Sequence, residues 1–379
     1  MTELFSYSSI DDALIKLDSL GGYKNPEKVV PLKGAAAHEV AVGPVHAGVI
    51  EPGHFRFQCM GEDVFNLQIF LGYQHRGVEE AIVKADGKIS RQIALAETCA
   101  GDTSVAAATA FAEIMESAFP EKFASPDSST LRVRSLMLEL ERIANHVGDL
   151  GALAGDVAFL QSAAFCGRIR GEYLNMTAML CGNRFGRNAI EPGSSLVTID
   201  ETLSQQLKED ISRVRPELDR ALKLMFHDHS VCDRFDGTGK VSKELAREIR
   251  LVGVARRASG DFNGDVMARA LVRRVEINEA HDKILKILNG EVLEMPPQSE
   301  NKIASRSDFT LVVSTVEAWR GPLVHAAIFS SEGKMEKYKI VDPSAHNWQA
   351  LAWAMRGEQI SNFPICNKSF NLSYCGTDR

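Results

Sequence analysis

His46 and Glu51 are two titratable side chains, five residues apart, on a segment that opens with a Gly43-Pro44 turn and leads into a hairpin. A histidine exchanges protons near neutral pH, and a glutamate close to it can pass them on. The spacing therefore predicts acid–base chemistry on a constrained loop. An ordinary surface loop could carry the same two residues.

Cys99 and Asp102 form a second candidate site with the spacing C-x-x-D. If the segment is helical, residues three apart share a face, so the thiol and the carboxylate could hold a metal ion together. The alternative is a small buried cysteine beside an aspartate that caps a helix.

Asp156 is a charged residue among apolar neighbours, and Arg320 is a charged residue in the segment Glu317–Gly321. A buried carboxylate needs a partner, so Asp156 is a candidate functional residue. The planar fork of Arg320 could polarise or hold a bound polar molecule, or it could form a structural salt bridge.

The elements that position these residues follow from hydrophobic spacing. Alternation predicts a hairpin of strands Phe55–Cys59 and Val64–Leu71. Helical spacing extends from about Ile89 to Gly290 and includes helices at Ser104–Ala118 and Leu131–Leu150. Later segments read as strands Thr310–Trp319, Leu323–Ser330 and Lys337–Val341, followed by a helix at Ala345–Met355.

We therefore expect an α+β protein with a long central helical bundle, a small N-terminal β-hairpin unit and a C-terminal β-rich unit. Residues 1–37 are set apart as an N-terminal extension, and residues 38–379 are taken as one interwoven domain. Within it we expect a β unit at 38–85, a helical core at 88–290 and a C-terminal α/β unit at 303–379.

One predicted helix carries several polar side chains beside its apolar stripe. They are Arg134, Glu139, Arg142, Asn145 and His146. For most of these charges the default expectation is a solvated helix face.

Composition excludes several classes of protein. The formal net charge of −7 argues against a nucleic-acid partner, which would require a basic face. Seven cysteines without a C-x-x-C pair fit a reducing compartment. The N-terminal stretch does not have the pattern of a signal peptide, and no apolar run reaches the roughly 18 residues of a membrane span. Any membrane attachment is therefore expected to come through partner subunits.

Several motifs together resemble one family. They are Gly43–Phe57, Gly72–Glu79, Ala96–Ser104, the L-R-x-x-x-x-x-E-L-x-R-I-x-N-H pattern of the helix at 131–150, Glu317–Gly321 and the terminal Thr377–Arg379. The chain resembles the large subunits of energy-converting [NiFe] hydrogenases and the quinone-site, 49-kDa-type subunit of respiratory complex I. The resemblance implies the fold of a [NiFe]-hydrogenase large subunit.

The resemblance also argues against nickel. The four cysteine ligands of the hydrogenases correspond here to Cys99, Asp102, Ser373 and Gly376. A hydroxyl is a poor ligand for nickel in a thiolate site, and glycine has no side-chain ligand. We therefore expect no metal bound by this chain.

For the complex I-like site, the resemblance implies that Asp156 pairs with His46. Thr98 lies near the place of the family's quinone-site tyrosine. We expect His46, Glu51, Asp156 and Arg320 to be catalytic. Residues expected to bind the acceptor or a cofactor are Cys99, Asp102, Thr98 and Ser373. All of these catalytic and binding residues except Thr98 should line one cavity.

The implied function is that of the cavity-bearing large subunit of a complex I-like oxidoreductase, which reduces a quinone or another small acceptor. The implied partners are an iron–sulfur small subunit, which carries the cluster, a complex I 30-kDa-type subunit and membrane ion-pump subunits. The implied location is peripheral, on the cytoplasmic face of the membrane. The alternatives are a hydrogenase of the group 4 type and a non-catalytic subunit that couples its neighbours.

Overall fold

The computed structural model describes residues 1–28, 31–34, 36–47, 49–291 and 308–379. The strands are β1 (Thr2–Tyr7), β2 (Ala37–Val42), β3 (His54–Met60), β4 (Asp63–Phe70), β5 (Ile190–Glu191), β6 (Ser194–Ser195), β7 (Phe309–Ala318), β8 (Gly321–Ser330) and β9 (Met335–Val341). The helices are α1 (Ile10–Ser19), α2 (Val78–Lys84), α3 (Ile89–Glu97), α4 (Ser104–Ala118), α5 (Ser128–Asp156), α6 (Leu160–Cys181), α7 (Glu201–Phe226), α8 (His229–Phe235), α9 (Lys243–Glu248), α10 (Gly253–Asp261), α11 (Val266–Leu288), α12 (Ser344–Ala354), α13 (Phe363–Phe370) and α14 (Tyr374–Asp378), with a 3₁₀ turn at Ile360–Asn362.

The N-terminal β unit is an antiparallel sheet in the order β2-β3-β4. Alternate residues of β3 face the core, so Phe55 and Phe57 are fully buried and both pack on the ring of Phe363. This contact attaches the sheet to α13.

The helical core is built around α5, which is 29 residues long and packs against α6 and α11. The alanine-rich α4 has small side chains, so it approaches its neighbours closely and is almost entirely buried. Apolar residues of α7 recur every three or four positions, from Leu207 to Met225, and form its buried stripe.

The C-terminal sheet has the strand order β1-β7-β8-β9, and neighbouring strands are antiparallel. Its edge strand β1 comes from the first residues of the chain and pairs with β7, with Thr2 opposite Ser314 and Tyr7 opposite Phe309. The spacing of the N-terminal residues did not predict this strand.

The structure confirms the predicted α+β fold and its main elements. The hairpin, the long helical core, the three C-terminal strands and the helix after them are all present. The predicted start of the C-terminal unit at residue 303 lies outside the described residues. Among the described helices, none is long and apolar enough to cross a bilayer.

The expectation of a solvated face on α5 is wrong. All five of its polar side chains named above are buried, at 9% exposure or less. Four of them are paired within the core: Arg134 forms a salt bridge with Glu116, Arg142 forms salt bridges with Glu139 and Glu276, and His146 is hydrogen-bonded to Glu276. The fifth, Asn145, donates to main-chain carbonyls. Helical spacing cannot distinguish a helix surrounded by protein, with its charges paired, from one that faces water.

Candidate active site

The centre of the site is an ion pair between Asp102 and Arg320. Nη1 and Nη2 of Arg320 each donate to a carboxylate oxygen of Asp102, over 2.8 and 2.7 Å. Arg320 is 8% exposed, and its guanidinium also stacks on the ring of Trp319, 3.9 Å from the ring centroid. A bidentate pair of this kind fixes both the position and the plane of the arginine.

Main-chain contacts position this pair. Asp102 lies in the turn between α3 and α4, where its carbonyl accepts from Trp319 Nε1 (2.9 Å) and Asn145 Nδ2 (2.8 Å). Arg320 lies in the turn between β7 and β8, and its Nε donates to the carbonyl of Asn371 over 2.7 Å. Asn371 has a left-handed backbone (φ 44°), a conformation that asparagine tolerates better than most residues.

The segment that ends the chain forms another wall of the site. Ser373 is 1% exposed and caps α14, since its Oγ accepts from the N–H of Gly376 over 3.0 Å. Gly376 lies against the buried carboxylate of Asp342, and a Cβ added to it would be 2.6 Å from Asp342 Oδ2 and 2.7 Å from Ser373 Oγ.

Further titratable groups surround the ion pair. The N–H of Cys375 lies 3.4 Å from Glu51 Oε2, and Ser373 Oγ lies 3.6 Å from Cys375 Sγ. Cys99 is buried (2% exposed), and its carbonyl accepts from Arg76 Nη2 over 2.8 Å. The site therefore gathers two thiols and several carboxylates around one fixed cation.

The charges of the site divide the carboxylates into two kinds. Burial alone would raise the pKa of Asp102, but the charge and hydrogen bonds of Arg320 hold that pKa below its ordinary value. For Glu51 and Asp342 burial prevails, and it raises the pKa of each although Arg320 opposes the shift. Burial also raises the pKa of the Cys99 and Cys375 thiols. Two carboxyl groups with a raised pKa thus lie near the Asp102–Arg320 ion pair.

Five of the predicted site residues belong to this constellation: Glu51, Cys99, Asp102, Arg320 and Ser373. The idea that Cys99 and Asp102 share a helix face is wrong, because both lie in the turn between α3 and α4. Asp102 does not cap α4 either, since the residue at the N-cap is Thr103.

Thr98 is next to this group, but its hydroxyl faces its own helix. Thr98 Oγ1 donates to the Leu95 carbonyl over 2.7 Å, and the Thr98 carbonyl accepts from Arg76. The contribution of Thr98 to the site is therefore through its main chain.

His46 and Asp156 differ from these five residues because both are exposed to solvent. The structure describes the loop 43–53 except for Gly48, and His46 is exposed on it. Asp156 was expected to be buried, and that expectation is wrong: it ends α5 and is exposed. Desolvation raises the pKa of Asp156, and the charge that opposes the shift is that of Lys368. The pairing of His46 with Asp156 stays a prediction.

Sequence reasoning missed Asp342, Arg76 and Glu141. Glu141 is a residue of α5 whose carboxylate reaches the N-terminus of α4, where it accepts from the N–H of Val105 over 2.8 Å, and burial raises its pKa to about 8. Asp342 follows directly after β9 in the segment Val341-Asp342-Pro343. A carboxylate at a strand end was the one signal available for it.

The four positions that correspond to hydrogenase cysteines do not fit a nickel–iron centre. Asp102 is engaged by Arg320, and the space beside Gly376 is occupied by the Asp342 carboxylate. In the part of the chain that the structure describes, no three His, Cys, Asp or Glu side chains are grouped so as to hold a metal ion.

Comparisons with known proteins agree with this fold. Residues 156–262 match the family "Respiratory-chain NADH dehydrogenase, 49 Kd subunit". Across 90% of its length the chain is 26% identical to Hydrogenase-4 component G of Escherichia coli, and it spans 62% of that protein. It is 26% identical to the carbon monoxide-induced hydrogenase of Rhodospirillum rubrum, with 91% of this chain and 100% of that protein covered.

An NADH-quinone oxidoreductase subunit of Solibacter usitatus is 24% identical, over 85% of this chain and 91% of that protein. Among solved structures, a chain of the membrane-bound sulfane sulfur reductase, an archaeal respiratory membrane complex, superposes with a TM-score of 0.78 at 20% identity. That superposition covers 92% of this chain and 100% of the other. Over most of its length the chain is therefore similar both to hydrogenase proteins and to an NADH-quinone oxidoreductase subunit, and residues 156–262 match the 49-kDa subunit family.

Proposed function

We propose that this chain is the cavity-bearing large subunit of a complex I-like, membrane-associated oxidoreductase and that it reduces a quinone or another small acceptor without nickel. The observation that carries the proposal is the fixed cation of Arg320 with the acids Glu51 and Asp342 near it, both with a raised pKa. A cation stabilises the negative charge that an acceptor gains, and protonated acids can neutralise that charge.

The reaction has a defined balance. Reduction of a quinone adds two electrons and two protons to its two carbonyl oxygens. In our proposal Glu51 and Asp342 each supply one proton and are reprotonated from solvent, while Arg320 orients the acceptor. Asp102 holds Arg320 in place and is not itself a proton donor, because its pKa is lowered.

The electrons must come from another subunit. The cysteines of this chain include no C-x-x-C pair, and the sequence has no glycine-rich dinucleotide motif. We therefore propose an iron–sulfur small subunit as the electron donor. A complex I 30-kDa-type subunit and membrane ion-pump subunits complete the proposed assembly, on the cytoplasmic face of the membrane.

The proposal is tested on the native assembly, purified with its partner subunits identified by mass spectrometry. A low-potential donor and a soluble quinone are supplied, and turnover is compared between wild type and Glu51→Gln. We expect a loss of about 100-fold or more, the range for removal of a proton donor. Glu62→Gln, an exposed change in the turn between β3 and β4, is the matched control.

The other two functions give different results in the same preparation. A hydrogenase would contain near-stoichiometric nickel and evolve hydrogen. A subunit that only couples its neighbours would tolerate Glu51→Gln with no change in turnover. Either result would refute the proposed role of the site.

The predicted pair of His46 and Asp156 is tested separately. We propose that His46→Ala abolishes turnover in the intact assembly and that Asp156→Asn reduces it, because an aspartate near a histidine favours the imidazolium. Full activity in both variants would remove His46 as a proton donor and leave the proposal on Glu51 unaffected.

A further inference from the structure

Trp319 contacts both partners of the ion pair at the centre of the site. Its Nε1–H donates to the main-chain carbonyl of Asp102 over 2.9 Å, and its ring centroid lies 3.9 Å from Cζ of Arg320. The side chain is 2% exposed. A cation stacked on an indole ring is attracted by the quadrupole of the ring, and this attraction is stronger where water is excluded.

The indole joins the two turns that carry the pair. Asp102 lies in the turn between α3 and α4, and Trp319 and Arg320 lie in the turn between β7 and β8. The bond from the indole to the Asp102 carbonyl links these turns through a main-chain atom, separately from the side-chain bonds between Asp102 and Arg320. Trp319 therefore restrains one turn relative to the other independently of the Asp102 carboxylate.

The position of the indole is itself fixed by its neighbours. The ring of His146, which is fully buried, meets the Trp319 ring edge to face, with 5.9 Å between the centroids and 81° between the planes. The main chain before Trp319 is held by Arg142, which donates to the carbonyls of Glu317 (2.9 Å) and Ala318 (3.3 Å). A ring held in this way can impose its own orientation on a group that stacks on it.

The hydrogen bonds of Arg320 show why the orientation of its plane matters. A guanidinium has five N–H groups, all in one plane. Four of them have acceptors: Nε donates to the Asn371 carbonyl, Nη1 donates to Asp102 Oδ1 and, over 3.4 Å, to Thr103 Oγ1, and Nη2 donates to Asp102 Oδ2. Within the described part of the chain, one N–H of Nη2 remains for a bound molecule. Its direction depends on the plane of the guanidinium.

A second stacked pair in the chain provides a comparison. The guanidinium carbon of Arg356 lies 3.7 Å from the ring centroid of Trp353. Arg356 is exposed and Trp353 is half-buried, and among the described residues the Trp353 indole has no hydrogen-bond partner. Stacking of arginine on tryptophan is therefore common to both pairs, whereas burial and a bond from the indole to a second turn distinguish Trp319.

We propose that Trp319 is a positioning residue, which sets the plane of the Arg320 guanidinium so that the remaining N–H of Nη2 donates to the bound acceptor. The inference rests on the proposed function, because turnover is what reports the direction of that N–H. The indole also covers one face of Arg320, so the acceptor reaches the guanidinium at its edge or from the opposite face. A donor of fixed direction then stabilises the negative charge that the acceptor gains.

The experiment measures kcat and KM in the native assembly, with a low-potential donor and a soluble quinone. Trp319→Leu removes both the stack and the indole bond. We expect kcat to fall by about 100-fold, the effect of a displaced catalytic group, with KM changed by less than about threefold. Trp319→Phe keeps a ring face for Arg320 but loses the indole bond, so it should recover part of the loss. Trp353→Leu, which removes the other stacked tryptophan, is the matched control and should leave kcat unchanged.

A further variant separates this inference from the proposed function. Arg320→Lys keeps the charge but removes the planar fork, so it should lower kcat at least as much as Trp319→Leu. If Arg320→Lys lowers kcat and Trp319→Leu does not, Trp319 has no positioning role and the proposed function stands. If both variants are fully active, the role proposed for Arg320 fails as well.

The balance between kcat and KM gives the remaining outcomes. A rise in KM alone in Trp319→Leu would overturn the inference, because it would show a wall of the binding site and not an oriented donor. If Trp319→Leu does not assemble, Trp319→Phe decides. In that variant we expect kcat to fall by about 10-fold, the loss of one hydrogen bond, and an unchanged kcat would overturn the inference.

Discussion

The contribution of the Asp102–Arg320 pair to stability can be measured with Asp102→Asn, which replaces the carboxylate by a neutral amide of similar shape. Removing one partner of a buried pair costs about 3–5 kcal/mol, because a charge is left without compensation. The side chain of Asp102 is 34% exposed, so solvent screens part of this cost. Asparagine also keeps one acceptor for the guanidinium. We therefore expect a loss of about 2 kcal/mol in the free energy of unfolding.

For 379 residues and an unfolding entropy of about 2.1 cal/mol/K per residue, this loss corresponds to a fall in Tm of about 2–3 °C. Calorimetry on the full chain measures it. The matched control is Asp282→Asn, which breaks the exposed pair with Arg215 and should change the free energy of unfolding by less than about 0.5 kcal/mol. Equal effects of the two changes would refute the view that the Arg320 pair holds the site together.

The difference in stability between wild type and Asp102→Asn should also change with pH in a defined direction. The folded pKa of Asp102 is lowered, so its contribution is complete above the ordinary value of about 3.9 and is lost as the pH falls through the folded pKa. The Tm difference between wild type and Asp102→Asn should be constant from about pH 5 to 7 and shrink below about pH 4. A difference that grows on acidification would contradict the assigned charge.

Three further predictions concern single positions. Gly376→Ala should cost about 1–3 kcal/mol, because its Cβ would lie 2.6 Å from Asp342 Oδ2, and a double-mutant cycle with Asp342→Ala should recover part of the loss. Glu141→Gln should gain stability relative to wild type as the pH rises from 5 to 8. Burial raises the folded pKa of Glu141 to about 8, so over this range the folded wild type keeps a proton that the unfolded chain releases, and its stability falls. A flat difference would argue against burial of that carboxyl. Asp156→Asn should change the free energy of unfolding by less than about 0.5 kcal/mol in urea titrations, because the side chain is exposed; a loss above 2 kcal/mol would show a buried partner.

The sequence predicted the elements of the fold well because its hydrophobic periods are long and regular. The alanine-rich run at Ser104–Ala118 is α4 with the same bounds, and the hairpin turns at Gly61 as expected. Strand β1 was missed because six residues at the start of a chain, without a hairpin partner nearby, give no pattern. Its partner β7 lies about 300 residues away in the sequence, and no local signal points to it.

The site was predictable only in part, because its residues find their partners at positions far away in the sequence. Asp102 and Arg320 could each be singled out, but the bidentate bond between them depends on the tertiary fold. Asp156 was expected to be buried because its sequence neighbours are apolar, whereas it ends a helix at the surface. Burial depends on which neighbours the fold supplies, and these are rarely the neighbours in sequence.

The bonds that join the site have one consequence for how the protein folds. They connect residues 218 positions apart for Asp102 and Arg320, 306 for Gly72 and Asp378, and 324 for Glu51 and Cys375. Contacts of such high contact order form late, because long loops must close before any of them is made. Only a fragment that spans residues 51–378 contains all three contacts. A fragment limited to residues 156–262, the part that matches the respiratory family, would lack every one of these six residues.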